Sequence, residues 1–152
     1  MKPIAITEFA DRLNEIVPVM MKEFGRRTVK ELYHQEVTLP QFFILEYLHK
    51  EGESKMTDLA HFMNVTTAAM TGIVDRLVRD KYLERTFEPQ DRRIIKVGLT
   101  GKAEELVKKV NQHRRQMVIK IFGKISEKDR EDYLRILVRI RDVLTIEKEP
   151  NA

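Results

Sequence analysis

The sequence predicts a mainly α protein with a small β-hairpin wing, on three observations. Apolar residues recur at steps of three and four along most of the 152 residues. Hydroxyl residues stand where helix caps are wanted, at Thr38, Thr57, Thr66, Thr100 and Ser126. Between residues 82 and 99 the pattern changes to that of two short strands.

From Ile6 the apolar stripe Phe9, Leu13, Ile16, Val17, Met20 and Phe24 marks an amphipathic helix that ends before Thr38. Pro18 lies inside it and removes a backbone donor, so a kink or local break is expected there. Thr38-Leu39-Pro40-Gln41 reads as a capped start with proline in the first turn. The helix it opens is expected to bury Phe42 or Phe43, then Leu45 and Leu48, and to stop near Gly52. A short helix follows, capped by Thr57 and holding Leu59, Ala60, Phe62 and Met63. After a tight turn at Asn64-Val65, Thr66 caps a helix running to about Asp80, with Met70, Ile73, Val74 and Leu77 inward. Residues 82–87 and 94–99 read as strands, and Glu88 to Arg93 as the polar turn of their hairpin. Thr100 then caps a helix with the stripe Leu106, Val110, His113, Met117 and Ile121. Ser126 caps the last, with Tyr133, Leu137, Ile140 and Leu144 on one face and Glu127 and Asp129 in its first turn.

Two helices joined by a tight turn and followed by a hairpin form the order of a winged helix-turn-helix, here with a helical dimerisation region around it. Residues 36–100 are expected to be the winged lobe, and 1–35 with 101–148 the dimerisation region.

Composition narrows the function. A 42% hydrophobic share suffices for a core, and with no cysteine there is no disulfide framework, thiol sensor or cysteine-bound zinc. No apolar run approaches the roughly 18 residues of a membrane span. The N-terminal stretch carries Glu8 and Asp11 and lacks an apolar signal core, so no membrane association and a cytoplasmic location are expected. The net charge of +4 is uneven: −2 over residues 1–54, +2 over 55–100 and +4 over 101–152. This permits a nucleic-acid partner without requiring one.

The helix after the tight turn carries the chemistry. Opposite its inward stripe lie Thr67, Ala68, Thr71, Gly72, Asp75 and Arg76, small enough at the N-terminal end for close approach to base edges. Threonine methyls suit thymine methyls, hydroxyls suit bases or phosphate, and the helix N-terminus with Thr66 suits a phosphate. At the hairpin tip Arg92 and Arg93 could enter a minor groove. Asp91 is expected to pair with an arginine and fix the tip. Arg76 and Arg79 have a simpler reading as ion-pair partners of Asp75 and Asp80, and the tip arginines as a solvated turn.

The run Thr66-Thr67-Ala68-Ala69-Met70-Thr71-Gly72-Ile73-Val74-Asp75-Arg76-Leu77, then Leu83-Glu84-Arg85, Asp91-Arg92-Arg93 and Val97-Gly98-Leu99-Thr100, resembles the MarR family of prokaryotic transcriptional regulators. The likeness spans nearly the whole chain. It implies a homodimer with interlocked terminal helices, two winged lobes on palindromic double-stranded DNA, and a cleft where small phenolic or lipophilic anions tune affinity. It assigns reading to Thr66 through Arg76 and the wing pair to Asp91 and Arg93. One departure is Lys81, where the family usually has glycine: a left-handed backbone there costs lysine on the order of 1 kcal/mol. A locally different turn or a phosphate contact could offset that cost.

Phe24, Tyr33, Phe43 and Tyr47 are candidates for lining an effector pocket, although each suits a core equally well. His34, His49, His61 and His113 are scattered without ligand spacing, so no metal and no cofactor are expected. The methionines read as core filler, and Lys108-Lys109 and Arg114-Arg115 as a wet helix face. Three functions compete: a DNA-binding regulator, a winged-helix module docking another protein, and an enzyme. No nucleophile-base set and no phosphate loop supports the last.

Overall fold

The computed structural model describes residues 3–33 and 37–146, without the side chains of Val29, Glu31 and Tyr33. In chain order the elements are α1 (Ile6–Tyr33), α2 (Leu39–Glu51), β1 (Ser54–Lys55), α3 (Met56–Met63), α4 (Thr67–Arg79), β2 (Leu83–Glu88), β3 (Asp91–Leu99), α5 (Gly101–Phe122) and α6 (Glu127–Ile146). They divide into two compact units, Met1–Gln112 and His113–Ala152.

The helix starts follow local chemistry. At α2 the Gln41 N–H donates to Thr38 Oγ1, and the Thr38 N–H donates to Gln41 Oε1 at 2.9 Å, a reciprocal cap. Thr66 accepts from the Ala69 N–H at 3.1 Å to start α4. At α5 the Thr100 hydroxyl accepts from Ala103, and at α6 Ser126 accepts from Asp129. The exception is α3, whose cap position is Lys55 rather than Thr57, with no side-chain bond. There the chain enters the helix straight from β1, so the sheet sets its start.

β1 is absent from the sequence reading. Its two residues pair with Val97 and Lys96, making a three-stranded antiparallel sheet in the order β1-β3-β2. The expected break at Pro18 is also absent, and α1 runs through it as one helix. A single missing donor releases one intrahelical bond, and the flanking turns hold the rest.

One core fills the first unit. Phe42, Leu45 and Leu48 of α2 meet Leu59 of α3, Met70, Val74 and Leu77 of α4, Leu83 and Val97 of the sheet, and Leu106 and Val110 of α5. Phe42 is the buried member of its pair, while Phe43 is 40% exposed. Phe62 lies within α3 as expected and is exposed, its ring 4.4 Å from that of Tyr47. His49 and Glu104 join α2 to α5 through a 2.8 Å contact.

Lys81 does adopt the left-handed backbone, at φ +63°. Its N–H reaches the Val78 carbonyl and the next N–H, of Tyr82, reaches Leu77 at 2.8 Å, which closes α4 in a Schellman turn. The Thr100 hydroxyl donates to the Lys81 carbonyl at 2.7 Å and holds the strained residue in place. Lys81→Gly should therefore raise the unfolding free energy by about 1 kcal/mol. Urea denaturation showing no gain would contradict this account of the turn.

In the second unit, Gly123 turns the chain between α5 and α6. A Cβ there would lie 2.7 Å from the Ile119 carbonyl oxygen, so the turn requires glycine. Arg130 donates to the Phe122 and Ile125 carbonyls, and the Phe122 and Tyr133 rings stack at 5.5 Å. His113, expected on an apolar stripe, has an exposed side chain.

Candidate nucleic-acid interface

The turn between α3 and α4 is set by Asn64 in the left-handed region at φ 52°, with the Val65 N–H donating back to Ala60. Met70, Val74 and Leu77 then anchor α4 in the core. This leaves Thr66, Thr67, Ala68, Thr71, Gly72, Asp75 and Arg76 exposed on its other face. Thr71 donates its hydroxyl to the Thr67 carbonyl at 2.9 Å, which fixes its rotamer and leaves its methyl and lone pairs outward. A Cβ on Gly72 would meet no protein atom within 4 Å, so internal packing does not require glycine there.

The ionic arrangement around this face sorts its charges. Asp75 is held by Arg85 of β2, a pairing that ties α4 to the wing. Arg79 pairs with Asp80 at 3.0 Å, and its guanidinium holds the Asp80 carboxyl below the usual carboxylate range. Arg76, for which a pairing with Asp75 was an alternative, has no ion-pair partner among the described residues. Arg85 stands in the Leu83-Glu84-Arg85 run, but nothing local signals its role, because its partner lies ten residues away on another element.

The wing differs from the sequence expectation in one instructive respect. Its strands extend almost to the tip, and only Pro89 and Gln90 remain as the turn. Phe87 pairs with Ile95, yet the next residue, Glu88, pairs with Asp91. Arg92, Arg93 and Ile94 therefore bulge from β3 with no counterpart on β2. The tip arginines sit in an irregular strand rather than a loop, because the register on either side forces three residues outward. The Asp91 carboxylate fixes this geometry by accepting the main-chain N–H of Arg93 at 3.0 Å, not by pairing with a guanidinium. Arg92 and Arg93 are exposed and have no ion-pair partner among the described residues. Lower on the wing, Lys96 is paired with Glu88, whose carboxylate raises the ammonium above its ordinary value.

The aromatic candidates are only partly assembled. Phe43 and Tyr47 lie one turn apart on α2, Phe24 is half-buried on α1, and the Tyr33 side chain lies outside the described residues. His34 also lies outside them. No group of three or more His, Asp or Glu side chains converges as a metal-ligand set among the described residues. No helix among them is long and apolar enough to cross a membrane.

A core-anchored helix with a small polar outer face, following a tight turn and flanked by a hairpin, defines a winged helix-turn-helix protein. Residues 37–95 match the model of the MarR family. The chain is thus similar to that family over its central lobe, and the curated relatives it matches are named HTH-type transcriptional regulators. Among curated relatives it is 24% identical over 146 residues to the HTH-type transcriptional repressor MdtR of Bacillus subtilis, covering 93% of this chain and 94% of that one. The fold matches a MarR family protein from Bacillus stearothermophilus with a TM-score of 0.82 at 21% identity, over 94% of this chain and 99% of the other. It also matches a mutant of MepR from S. aureus, solved bound to an oligodeoxyribonucleotide, with a TM-score of 0.66 at 22% identity over 86% and 96% of the two chains.

Proposed function

We propose that the chain is a sequence-specific repressor that binds a palindromic double-stranded DNA operator as a homodimer in the cytoplasm. The observation that carries this reading is that three exposed arginines on one face of the lobe, Arg76 beside the small face of α4 and Arg92 and Arg93 at the wing bulge, have no ion-pair partner among the described residues. Elsewhere on the same lobe, Arg79, Arg85 and Lys96 are neutralised by acidic neighbours. Cations left unpaired on one functional face suit a polyanion. In this reading Thr66, Thr67, Ala68, Thr71 and Gly72 meet base edges in the major groove and Arg76 a phosphate. Asp91 holds the wing while Arg92 and Arg93 enter the adjacent minor groove.

Residues 36–100 act as the DNA-binding lobe, and 1–35 with 101–148 as the dimerisation region. Support for the latter comes from apolar side chains that a lone chain leaves in water: Phe9, Leu13 and Ile16 on α1, and Leu137, Ile140 and Leu144 on α6. A dimer would hold two reading helices about 34 Å apart, one turn of DNA. The repressor name of the B. subtilis relative supports the sign of regulation, and the MepR mutant's bound oligonucleotide supports the partner. A small aromatic or lipophilic anion held by Phe24, Tyr33, Phe43 and Tyr47 would tune affinity by the ratio of its affinities for the free and DNA-bound states.

The test is selection of duplexes from a random pool, then titration of the selected and a scrambled duplex across a salt series. Arg76, Arg92 and Arg93 of each protomer, six cations in the dimer, predict a slope of log affinity against log salt of about −5, and strong preference for the selected duplex. Failure to enrich any sequence, even at low salt, would overturn the reading in favour of a protein-docking winged helix.

A further inference from the structure

We infer that the wing carries an apolar contact surface for DNA, formed by Phe87 and Ile95, which rests on the deoxyribose rim of the minor groove beside the arginine bulge. The inference rests on the proposed DNA-binding function and adds residues to it.

Phe87 and Ile95 are direct cross-strand partners, 58% and 37% exposed. Their row along the sheet continues Leu83–Leu99 and Arg85–Val97, because side chains two apart on a strand share a face. At its base this row enters the core through Leu83 and Val97. Midway, Arg85 reaches Asp75 on α4. The row therefore faces the side on which the reading helix sits, and its outermost pair stays in water. Immediately beyond that pair come Arg92, Arg93 and Ile94 of the bulge, and Arg92 shares an open hollow with Phe87 and Pro89.

Dimensions decide what meets what. The minor groove of B-form DNA is roughly 6 Å wide, whereas a β-ribbon with its side chains is about 10 Å thick. The ribbon cannot enter; only side chains projecting from its end can. With the bulged arginines inserted, the next pair down the ribbon lies at the groove edge, where sugar C–H groups form apolar rims between phosphates. The charge next to the pair selects this occupant. Two guanidiniums without ion-pair partners among the described residues flank it, and the partner complementary to them is a polyanion.

The chain has no tryptophan, so Phe87→Trp supplies a single reporter at an exposed position. Titrating the selected duplex into this variant should shift or quench its emission, saturating at the same concentration as DNA binding measured by anisotropy. Phe87→Ala should weaken binding about tenfold while leaving the salt slope unchanged, as loss of an apolar contact requires. Arg92→Ala should instead make the slope shallower. Unchanged tryptophan emission while anisotropy reports full binding would overturn the inference and leave the DNA-binding function standing. Emission that shifts with protein concentration in the absence of DNA would overturn it in favour of contact with a second copy. A chain that selects no duplex would overturn both.

Discussion

Arg93→Ala should weaken binding to the selected duplex by more than tenfold and leave folding intact. Arg93 projects from a strand bulge, is exposed, and has no carboxylate partner among the described residues, so removing its guanidinium costs the free protein little. The main-chain N–H that Asp91 accepts is retained in alanine, so the tip keeps its shape. In the complex the loss is counted twice, once per protomer. At about 1 kcal/mol per groove contact, two copies amount to roughly 2 kcal/mol, or about thirtyfold. Discrimination between A·T-rich and G·C-rich flanks should fall with it, because a narrow A·T minor groove attracts arginine most strongly. A variant with wild-type affinity and an unchanged melting temperature would remove the wing from the interface.

Leu137→Asp and Leu144→Asp should each abolish dimerisation and DNA binding together. Both residues are exposed on α6, at 41% and 56%, and share a face with Tyr133 and Ile140. In a lone chain an aspartate there points into water and leaves the helix intact. In a dimer seam the same aspartate must be desolvated without a partner, twice, a cost of several kcal/mol that a moderate dimer does not survive. DNA binding should fall further than dimer stability alone suggests, since a monomer reaches one half-site and loses the second set of phosphate contacts. Sedimentation would separate the species. A folded monomer that retains operator affinity would contradict the dimeric mechanism.

The sequence carried local chemistry most clearly. Capping hydroxyls at Thr38, Thr66, Thr100 and Ser126 fixed four helix starts, since each acts on N–H groups within three residues. The left-handed Lys81 was signalled only by the family resemblance, which places glycine at that position, and not by any local pattern. Features that depend on distant pairing were not legible. β1 is too short to show a period and exists only through its bonds to Val97 and Lys96. The arginine bulge arises from the register of β3 against β2, which no local pattern encodes, so residues 88–93 read as a plain turn. Phe42 and Phe43 are identical in type and adjacent, and only the packing of α2 decides which is buried. At the interface, the small outer face of α4 followed directly from spacing. The role of Arg85 and the exposure of Phe87 required the folded sheet.

Cleavage protection of the selected duplex by hydroxyl radicals tests the central claim most directly, because it reads groove, spacing and symmetry at once. The account predicts two equivalent protected segments related by a two-fold axis, their centres about 10 base pairs apart, each flanked by minor-groove protection that disappears with Arg93→Ala. A single unsymmetrical patch, or protection that survives loss of the wing arginines, would contradict a winged dimer reading a palindrome.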